Sequence, residues 1–156
     1  MANILYTARA HVTGGREGHA RTADGELEVD LRTPKKMGGA GGGTNPEELF
    51  AVGYAASFES TVRVLARRRR LDAGEITIHS AMSLRPTADG RLILAATLDV
   101  ALPSIGNWET AALLLREAHQ VCPYSNATRG NIDVEILLEG EPVSSNRREQ
   151  AATEDG

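Results

Sequence analysis

The chain has 156 residues, of which 41% are hydrophobic, 24% charged and 4% aromatic. This composition predicts one folded domain of ordinary size and excludes a disordered chain, a coiled coil and a collagen-like repeat. The 17 basic and 21 acidic side chains leave a net charge of −4, which opposes attraction to phosphate backbones. No apolar run approaches the length of a membrane-spanning helix. We therefore expect neither a nucleic acid nor a membrane as a partner.

Cys122 is the only cysteine, which excludes a disulfide within one chain. A single cysteine suits a reducing compartment, and the N-terminus lacks the basic start and apolar run of a signal peptide. We therefore expect a cytoplasmic protein. Residues 1–143 are predicted to form a single domain, and residues 144–156, which have almost nothing to bury, a disordered tail.

The first third of the chain is predicted to contain two strands and a loop. Residues 4–13 alternate loosely between apolar and polar and end at a Gly-Gly turn, and residues 26–32 alternate strictly. The Gly-rich residues 37–43 are interpreted as a flexible loop. They lack the Gly-Lys-Ser/Thr ending of a phosphate-binding loop and do not directly follow a strand.

A long helix is predicted from about Pro46 to Arg69. Asn45 can cap it, proline fits its first turn, and Glu48 can complete a capping box. The first half of the helix, residues 51–58, carries small residues on nearly every side. We therefore expect this half to be central and buried.

The remaining predicted elements are a hairpin, a second helix ended by a proline, and a last strand. They occupy residues 75–84 with 91–101, a helix from Asn107 or Thr110 to about Cys122, and residues 132–138. The order β-β-α-β-β-α-β predicts an α+β fold with largely antiparallel pairing rather than a doubly wound parallel sheet.

Neither the histidines nor a run of arginines predicts a binding site. The histidines show no ligand spacing such as His-x-x-x-His, so no metal is expected. The four arginines at 67–70 lie at the predicted end of the long helix, where the helix dipole favours cations, and we interpret them as a solvated helix end. Each histidine is interpreted as a surface or pocket-edge residue: His11, His19, His79 and His119.

The most specific segment surrounds the lone thiol. Cys122 is followed by Pro-Tyr-Ser-Asn-Ala-Thr-Arg-Gly-Asn, which places it between a predicted helix and a turn crowded with polar side chains. Taken alone, such a cysteine is more often an inert buried residue than a reactive one. Three further motifs precede it in the chain, at residues 13–16 (Thr-Gly-Gly-Arg), 38–50 (Gly-Gly-Ala-Gly-Gly-Gly-Thr-Asn-Pro-Glu-Glu-Leu-Phe) and 53–58 (Gly-Tyr-Ala-Ala-Ser-Phe).

Together the four motifs resemble the organic hydroperoxide resistance (Ohr) proteins of the OsmC superfamily, over roughly residues 4–139. The resemblance implies an OsmC-like α+β fold, with antiparallel sheets packed around a long central helix, in an intertwined homodimer. It also implies a thiol-dependent peroxidase that reduces organic hydroperoxides to alcohols. The oxidised enzyme would be reduced by a dihydrolipoyl group or another dithiol.

The resemblance assigns roles to four residues. The arginine after Gly-Gly corresponds to Arg16, the first glutamate after Asn-Pro to Glu47, and the resolving cysteine to Cys122; the peroxidatic cysteine belongs where this chain has Ser57. In such a site an arginine stabilises the attacking thiolate, and a carboxylate can hold the guanidinium by a two-pronged hydrogen bond. The resulting sulfenic acid condenses with a second thiol.

Serine can perform neither step, because its hydroxyl is far less acidic and less nucleophilic than a thiol and forms no sulfenic acid. The chain is therefore expected to be inactive or severely impaired. The sequence is the same whether Ser57 is natural or was introduced deliberately in place of a cysteine. Cys122 is expected to contribute little alone, since the negative end of the preceding helix dipole opposes a thiolate there.

Several alternatives stay open. Glu47 and Ser57 are about 15 Å apart along a continuous helix, so a shared pocket requires a helix break or a second chain. Glu47 could instead only stabilise the helix N-terminus. The protein could be a non-catalytic module that binds a hydroperoxide, a fatty acid or another apolar small ligand. Peroxide could also trigger an intermolecular disulfide through Cys122.

Overall fold

The structure is a computed structural model that describes residues 3–144. The described residues divide into two compact units, residues 3–49 and 50–144. The predicted tail, apart from Ser144, lies outside the described residues. The single-domain assignment of residues 1–143 stays a prediction.

The first unit contains a three-stranded antiparallel sheet in the order β1-β2-β3. The predicted first strand is present but shorter, and β2 was not predicted. Strand β2 has only four residues, and Ala20 is its one buried side chain. Its sequence therefore shows almost no alternation between apolar and polar residues. The strands are β1 (Ala10–Thr13), β2 (His19–Thr22) and β3 (Glu28–Asp30).

Helix α1 (Pro46–Arg68) starts where the sequence predicts. The Asn45 side-chain oxygen accepts a hydrogen bond from the Glu48 backbone N–H at 2.9 Å, as an N-cap should. In a capping box the Glu48 side chain would accept a hydrogen bond from the Asn45 backbone N–H. Here the Glu48 carboxylate accepts a hydrogen bond from the Thr44 hydroxyl instead.

The expectation that residues 51–58 are buried is correct for only one face of α1. Tyr54 and Phe58 are fully buried, whereas Val52 is 69% exposed. Side chains one helical turn apart share a face, so Tyr54, Phe58 and the next turns reach the core while the opposite face does not. The face that is buried in the second unit continues with Val62 and Ala66.

The second unit is built on a four-stranded sheet in the order β4-β5-β6-β7. The hairpin β4–β5 pairs ten residues on each strand in antiparallel register, while β6 pairs with β5 in parallel. Alternate residues of β5 join α1, β6 and the helix at residues 108–121 in one hydrophobic core. The strands are β4 (Thr77–Pro86), β5 (Leu92–Ala101), β6 (Asp133–Leu138) and β7 (Glu141–Pro142).

Two helices form the connection between β5 and β6. Helix α2 (Trp108–Val121) is capped by Asn107 and ends before Cys122, as predicted. The predicted turn after it is instead a short helix, α3 (Pro123–Thr128). Proline cannot continue a helix but fits the first position of a new one, so Pro123 both ends α2 and starts α3. The α+β class is confirmed.

Among the described residues, no helix is both long and apolar enough to cross a membrane.

Candidate active site

Arg16 and Glu47, two of the predicted site residues, form a bidentate ion pair. The two terminal nitrogens of the guanidinium donate to separate carboxylate oxygens, Nη1 to Oε2 at 2.7 Å and Nη2 to Oε1 at 2.6 Å. The Glu47 side chain is 15% exposed and that of Arg16 is 35% exposed. Such a fork fixes the plane of the guanidinium as well as its position.

A compact turn places Arg16 in the first unit. The residue lies in a single 3-10 turn, Gly15–Glu17, between β1 and β2. Gly18 follows the turn, and a Cβ atom there would lie 1.7 Å from the Thr13 carbonyl oxygen. Only glycine lets the chain close this tightly at position 18. Gly14 and Gly15 of the sequence motif have positive φ angles of 73° and 55°, which glycine adopts most readily.

The ion pair sets the charge of both partners. The Arg16 hydrogen bonds hold the pKa of Glu47 below its ordinary value, although partial burial acts in the opposite direction. The same hydrogen bonds raise the pKa of Arg16. Glu47 is thus more than a carboxylate at a helix N-terminus: it fixes a permanently charged guanidinium.

Ser57 and Cys122, the other two predicted site residues, meet in the second unit. The Ser57 hydroxyl oxygen lies 3.6 Å from the Cys122 sulfur. Ser57 is half-buried and Cys122 is fully buried. The side chain at position 57 therefore touches the only thiol in the chain, across 65 residues of sequence. A fully buried sulfur does not favour the predicted alternative of an intermolecular disulfide through Cys122.

The structure corrects the electrostatic argument about Cys122. This residue is the C-cap of α2 and also the N-cap of α3. The negative end of one helix dipole and the positive end of another meet there. The helix-dipole argument made from the sequence considered α2 alone and did not include α3.

A buried chain of hydrogen bonds lies one helical turn from both Ser57 and Cys122. The Tyr54 hydroxyl is 2.8 Å from the Ser125 hydroxyl, which is 2.8 Å from His119 Nδ1. Tyr54 and Ser125 are fully buried. The three side chains come from α1, α3 and α2, so the chain joins the helices that carry Ser57 and Cys122.

These polar residues were not identified as functional from the sequence. His119 was interpreted as a surface or pocket-edge residue, and it is half-buried. Burial lowers its pKa, and the positive charge of Arg129 lowers it further. The sequence offered one signal for these residues, their regular spacing. His119 lies three residues before Cys122 and Ser125 lies three residues after it, a spacing of about one helical turn.

Close approach of an aromatic ring adds a steric requirement at Gly53. A Cβ atom at this position would lie 2.6 Å from the Tyr124 hydroxyl oxygen. Tyr124 also stacks at a tilt against Tyr54 and meets Phe50 edge to face. The Tyr124 ring on α3 thus packs directly on the turn of α1 that contains Phe50, Gly53 and Tyr54.

No cluster of three or more His, Cys, Asp or Glu side chains among residues 3–144 is arranged to hold a metal ion. The four predicted site residues thus form two contacts, Arg16 with Glu47 and Ser57 with Cys122. They supply a fixed cation, its carboxylate partner, one thiol and one hydroxyl.

Comparison with known proteins shows the family to which the chain belongs. Residues 39–137 match the OsmC-like protein family. The organic hydroperoxide resistance protein of Xanthomonas axonopodis pv. citri is 48% identical over 86% of this chain and 95% of its own length. The chain belongs to the Ohr proteins of the OsmC superfamily.

Solved Ohr structures agree with the fold. An Ohr protein from Legionella pneumophila has a TM-score of 0.83 and 43% identity, covering 87% of this chain and 98% of its own. Another, described as a putative Ohr protein from Vibrio cholerae, has a TM-score of 0.83 and 39% identity, covering 90% and 96%. Its crystal structure has captopril bound in one of the active sites. The predicted family and the OsmC-like fold are confirmed.

Proposed function

We propose that this chain is an Ohr-type thiol peroxidase scaffold whose peroxidatic position is occupied by Ser57. The observation that carries the proposal is the 3.6 Å contact between the Ser57 hydroxyl and the Cys122 sulfur. A sulfur at position 57 would stand beside a second thiol, as a two-cysteine peroxidase requires. With serine there, we expect the chain to be inactive or severely impaired.

The reaction that a cysteine at position 57 would perform balances without a cofactor. Its thiolate attacks one oxygen of the hydroperoxide, the O–O bond breaks, and the alkoxide leaves and takes up a proton to form the alcohol. The sulfenic acid then reacts with the Cys122 thiol, which forms a disulfide and releases water. A dithiol such as a dihydrolipoyl group returns both sulfurs to thiols and is itself oxidised to a disulfide.

We further propose that a homodimer brings the Arg16–Glu47 pair of one protomer to Ser57 and Cys122 of its partner. Helix α1 runs without interruption from Pro46 to Arg68, so the helix break that would let Glu47 approach Ser57 is absent. A second chain is the remaining way to build one pocket from all four residues.

Exposed apolar side chains support such a dimer. Val52 and Val64 on α1 are 69% and 41% exposed, and Ala56 and Ser60 lie between them at the same four-residue spacing. Near the N-terminus, Leu5 is 98% exposed. Exposed apolar side chains repeated along one helix face are typical of a face that another protein covers. A reducing compartment such as the cytoplasm would suit the reduced state of the lone thiol.

The test is turnover of an alkyl hydroperoxide with a dithiol reductant, comparing the chain with its Ser57→Cys form. Activity restored only by Ser57→Cys supports the proposal. Ser60→Cys, which adds a thiol to the same helix, is the matched control and should stay inactive. No activity in the Ser57→Cys form contradicts the proposal, and equal, robust activity without the substitution would assign the chemistry to Cys122.

A non-catalytic ligand-binding function is the second candidate. It is favoured by the captopril molecule in one active site of the Vibrio cholerae relative, because a pocket can hold a small molecule without turning it over. Calorimetric titration with a lipid hydroperoxide and with its unoxidised parent tests this candidate. Saturable binding to either ligand supports it, and absence of saturable binding to both removes it.

A further inference from the structure

The turn that carries Arg16 is fastened to a neighbouring segment by the next side chain along the chain. The Glu17 carboxylate accepts a hydrogen bond from the backbone N–H of Thr33 at 3.0 Å. The two residues are 16 positions apart, so the bond is tertiary rather than local. Hydrogen bonds from Thr33 hold the pKa of Glu17 below its ordinary value.

A second attachment lies at Gly18, the residue that follows the turn. The Gly18 carbonyl oxygen accepts from the Leu31 backbone N–H at 2.9 Å and from Arg32 Nη1 at 2.9 Å. The segment from Leu31 to Thr33 therefore holds the Arg16 turn from its C-terminal end. Gly18 is held through its backbone, so Glu17 supplies a tether that a single side-chain substitution can remove.

The same segment is also fastened to the start of α1. The Arg32 N–H donates to the Thr44 carbonyl and the Thr44 N–H donates to the Asp30 carbonyl, both at 2.9 Å. Thr44 lies three residues before Glu47. The segment thus connects the turn that carries the guanidinium with the helical turn that carries its carboxylate partner.

We propose that Glu17 is a positioning residue, whose hydrogen bond to Thr33 holds the Arg16 turn where the guanidinium meets Glu47. Glu17 acts through the backbone that it shares with its neighbour Arg16. Its importance for turnover rests on the proposed function of Arg16. The positioning itself is a property of the first unit and can be measured without any reaction.

The direct test follows the Glu47 carboxyl by carbon NMR during a pH titration, in the chain with Ser57 in place. Glu17→Ala should raise the pKa of Glu47 toward its ordinary value, because the guanidinium is no longer held against it. Glu17→Gln keeps an oxygen that accepts from Thr33 and should leave the Glu47 titration unchanged. Should Glu17→Ala not fold, Glu17→Asp, with a carboxylate one methylene shorter, takes its place.

The matched control is Glu26→Ala, which removes the same charge from the turn between β2 and β3. If Glu26→Ala shifts the Glu47 titration as much as Glu17→Ala does, the effect is one of net charge and the proposal fails. An unchanged Glu47 titration in Glu17→Ala also overturns it.

Turnover gives a second readout that separates this proposal from the proposed function. In the Ser57→Cys background, Glu17→Ala should lower kcat/KM about tenfold or more, since small misplacement of a catalytic group is costly, and Glu17→Gln should restore most of it. If Ser57→Cys shows no turnover at all, the proposed function fails while the NMR titration still decides the role of Glu17. A shifted Glu47 titration with unchanged kcat/KM would contradict the catalytic part of the positioning role.

Discussion

The side chain of Ser57 contacts Cys122 directly, with 3.6 Å between the hydroxyl oxygen and the sulfur. This contact predicts that Ser57→Cys forms an intrachain disulfide when one equivalent of hydroperoxide is added. Both thiols should disappear in a titration of free thiols under denaturing conditions and return after reduction. Ala56→Cys, one residue earlier on an exposed position of α1, should keep the Cys122 thiol of the same chain unpaired. Persistence of both thiols in Ser57→Cys would contradict the geometry.

The Glu47 ion pair predicts a pH-dependent contribution to stability. Its folded-state pKa is lowered, so the unfolded chain binds more protons, and the contribution is present above the unfolded value of about 4.3. It is lost as the pH falls through the folded value. When the pH is lowered, the unfolding free energy measured by urea denaturation should therefore fall less in Glu47→Gln than in the unsubstituted chain.

Two further variants identify the origin of that effect. Glu48→Gln removes a carboxylate from the same helical turn, where it accepts from Thr44. An equal change in Glu48→Gln would mean that Glu47 acts only on the helix N-terminus. Arg16→Met should cost about 1 kcal/mol or less at neutral pH, because Arg16 is 35% exposed and solvent screens the pair.

The buried hydrogen-bond chain predicts a stability difference between two tyrosines. Tyr54→Phe removes a hydroxyl that is bonded to Ser125 inside the core, and should lower the unfolding free energy by about 1–3 kcal/mol. Tyr124→Phe removes a hydroxyl from a ring that is 36% exposed, and should change it by about 0.5 kcal/mol or less. Equal losses in the two variants would show that the Ser125 bond contributes nothing specific.

The tight turn after Arg16 predicts that Gly18 tolerates no side chain. Gly18→Ala places a Cβ atom 1.7 Å from a backbone oxygen, so the turn must open, at a cost of about 2 kcal/mol or more. Gly106→Ala is the control, since a Cβ atom there meets nothing within 4 Å. Thermal unfolding of both variants checks the prediction, and equal melting temperatures would argue against it.

We expect the pKa of His19 to lie above the ordinary histidine value and the pKa of His119 to lie below it. Hydrogen bonds that the His19 ring donates to Asp30 and Glu28 raise the pKa of His19, whereas burial lowers the pKa of His119. A raised folded-state pKa means that the His19 contribution to stability is present below about pH 6.5 and is lost as the pH rises through the folded value. Proton NMR of the imidazoles should show both shifts, and Asp30→Asn should lower the His19 value.

Local chemistry made parts of this structure predictable from sequence. The start of α1 depends on Asn45 and Pro46, and its signals lie within four residues of one another. The end of α2 depends on Pro123 in the same way. That proline was interpreted only as a stop signal, because nothing in the sequence distinguishes a turn from a new helix that begins at the proline.

The candidate site was less accessible to such reasoning. Arg16 and Glu47 are separated by 31 residues, and no spacing rule predicts their meeting; family resemblance supplied both assignments. Tyr54 and Ser125 are 71 residues apart in the sequence. The family resemblance assigned no role to either residue, so their contact was not predicted. Tertiary packing, rather than propensity, decides contacts at these separations.

The parallel pairing of β6 with β5 has a consequence for the order of folding. The β4–β5 hairpin closes through a short turn, whereas β6 can pair only after residues 102–132 have crossed back over the sheet. Non-local pairing of this kind is slow because the chain entropy of a long loop must be lost first. Cys122 lies on that crossover, so during synthesis its sulfur reaches residue 57 late, and the two positions become neighbours only in a nearly complete molecule.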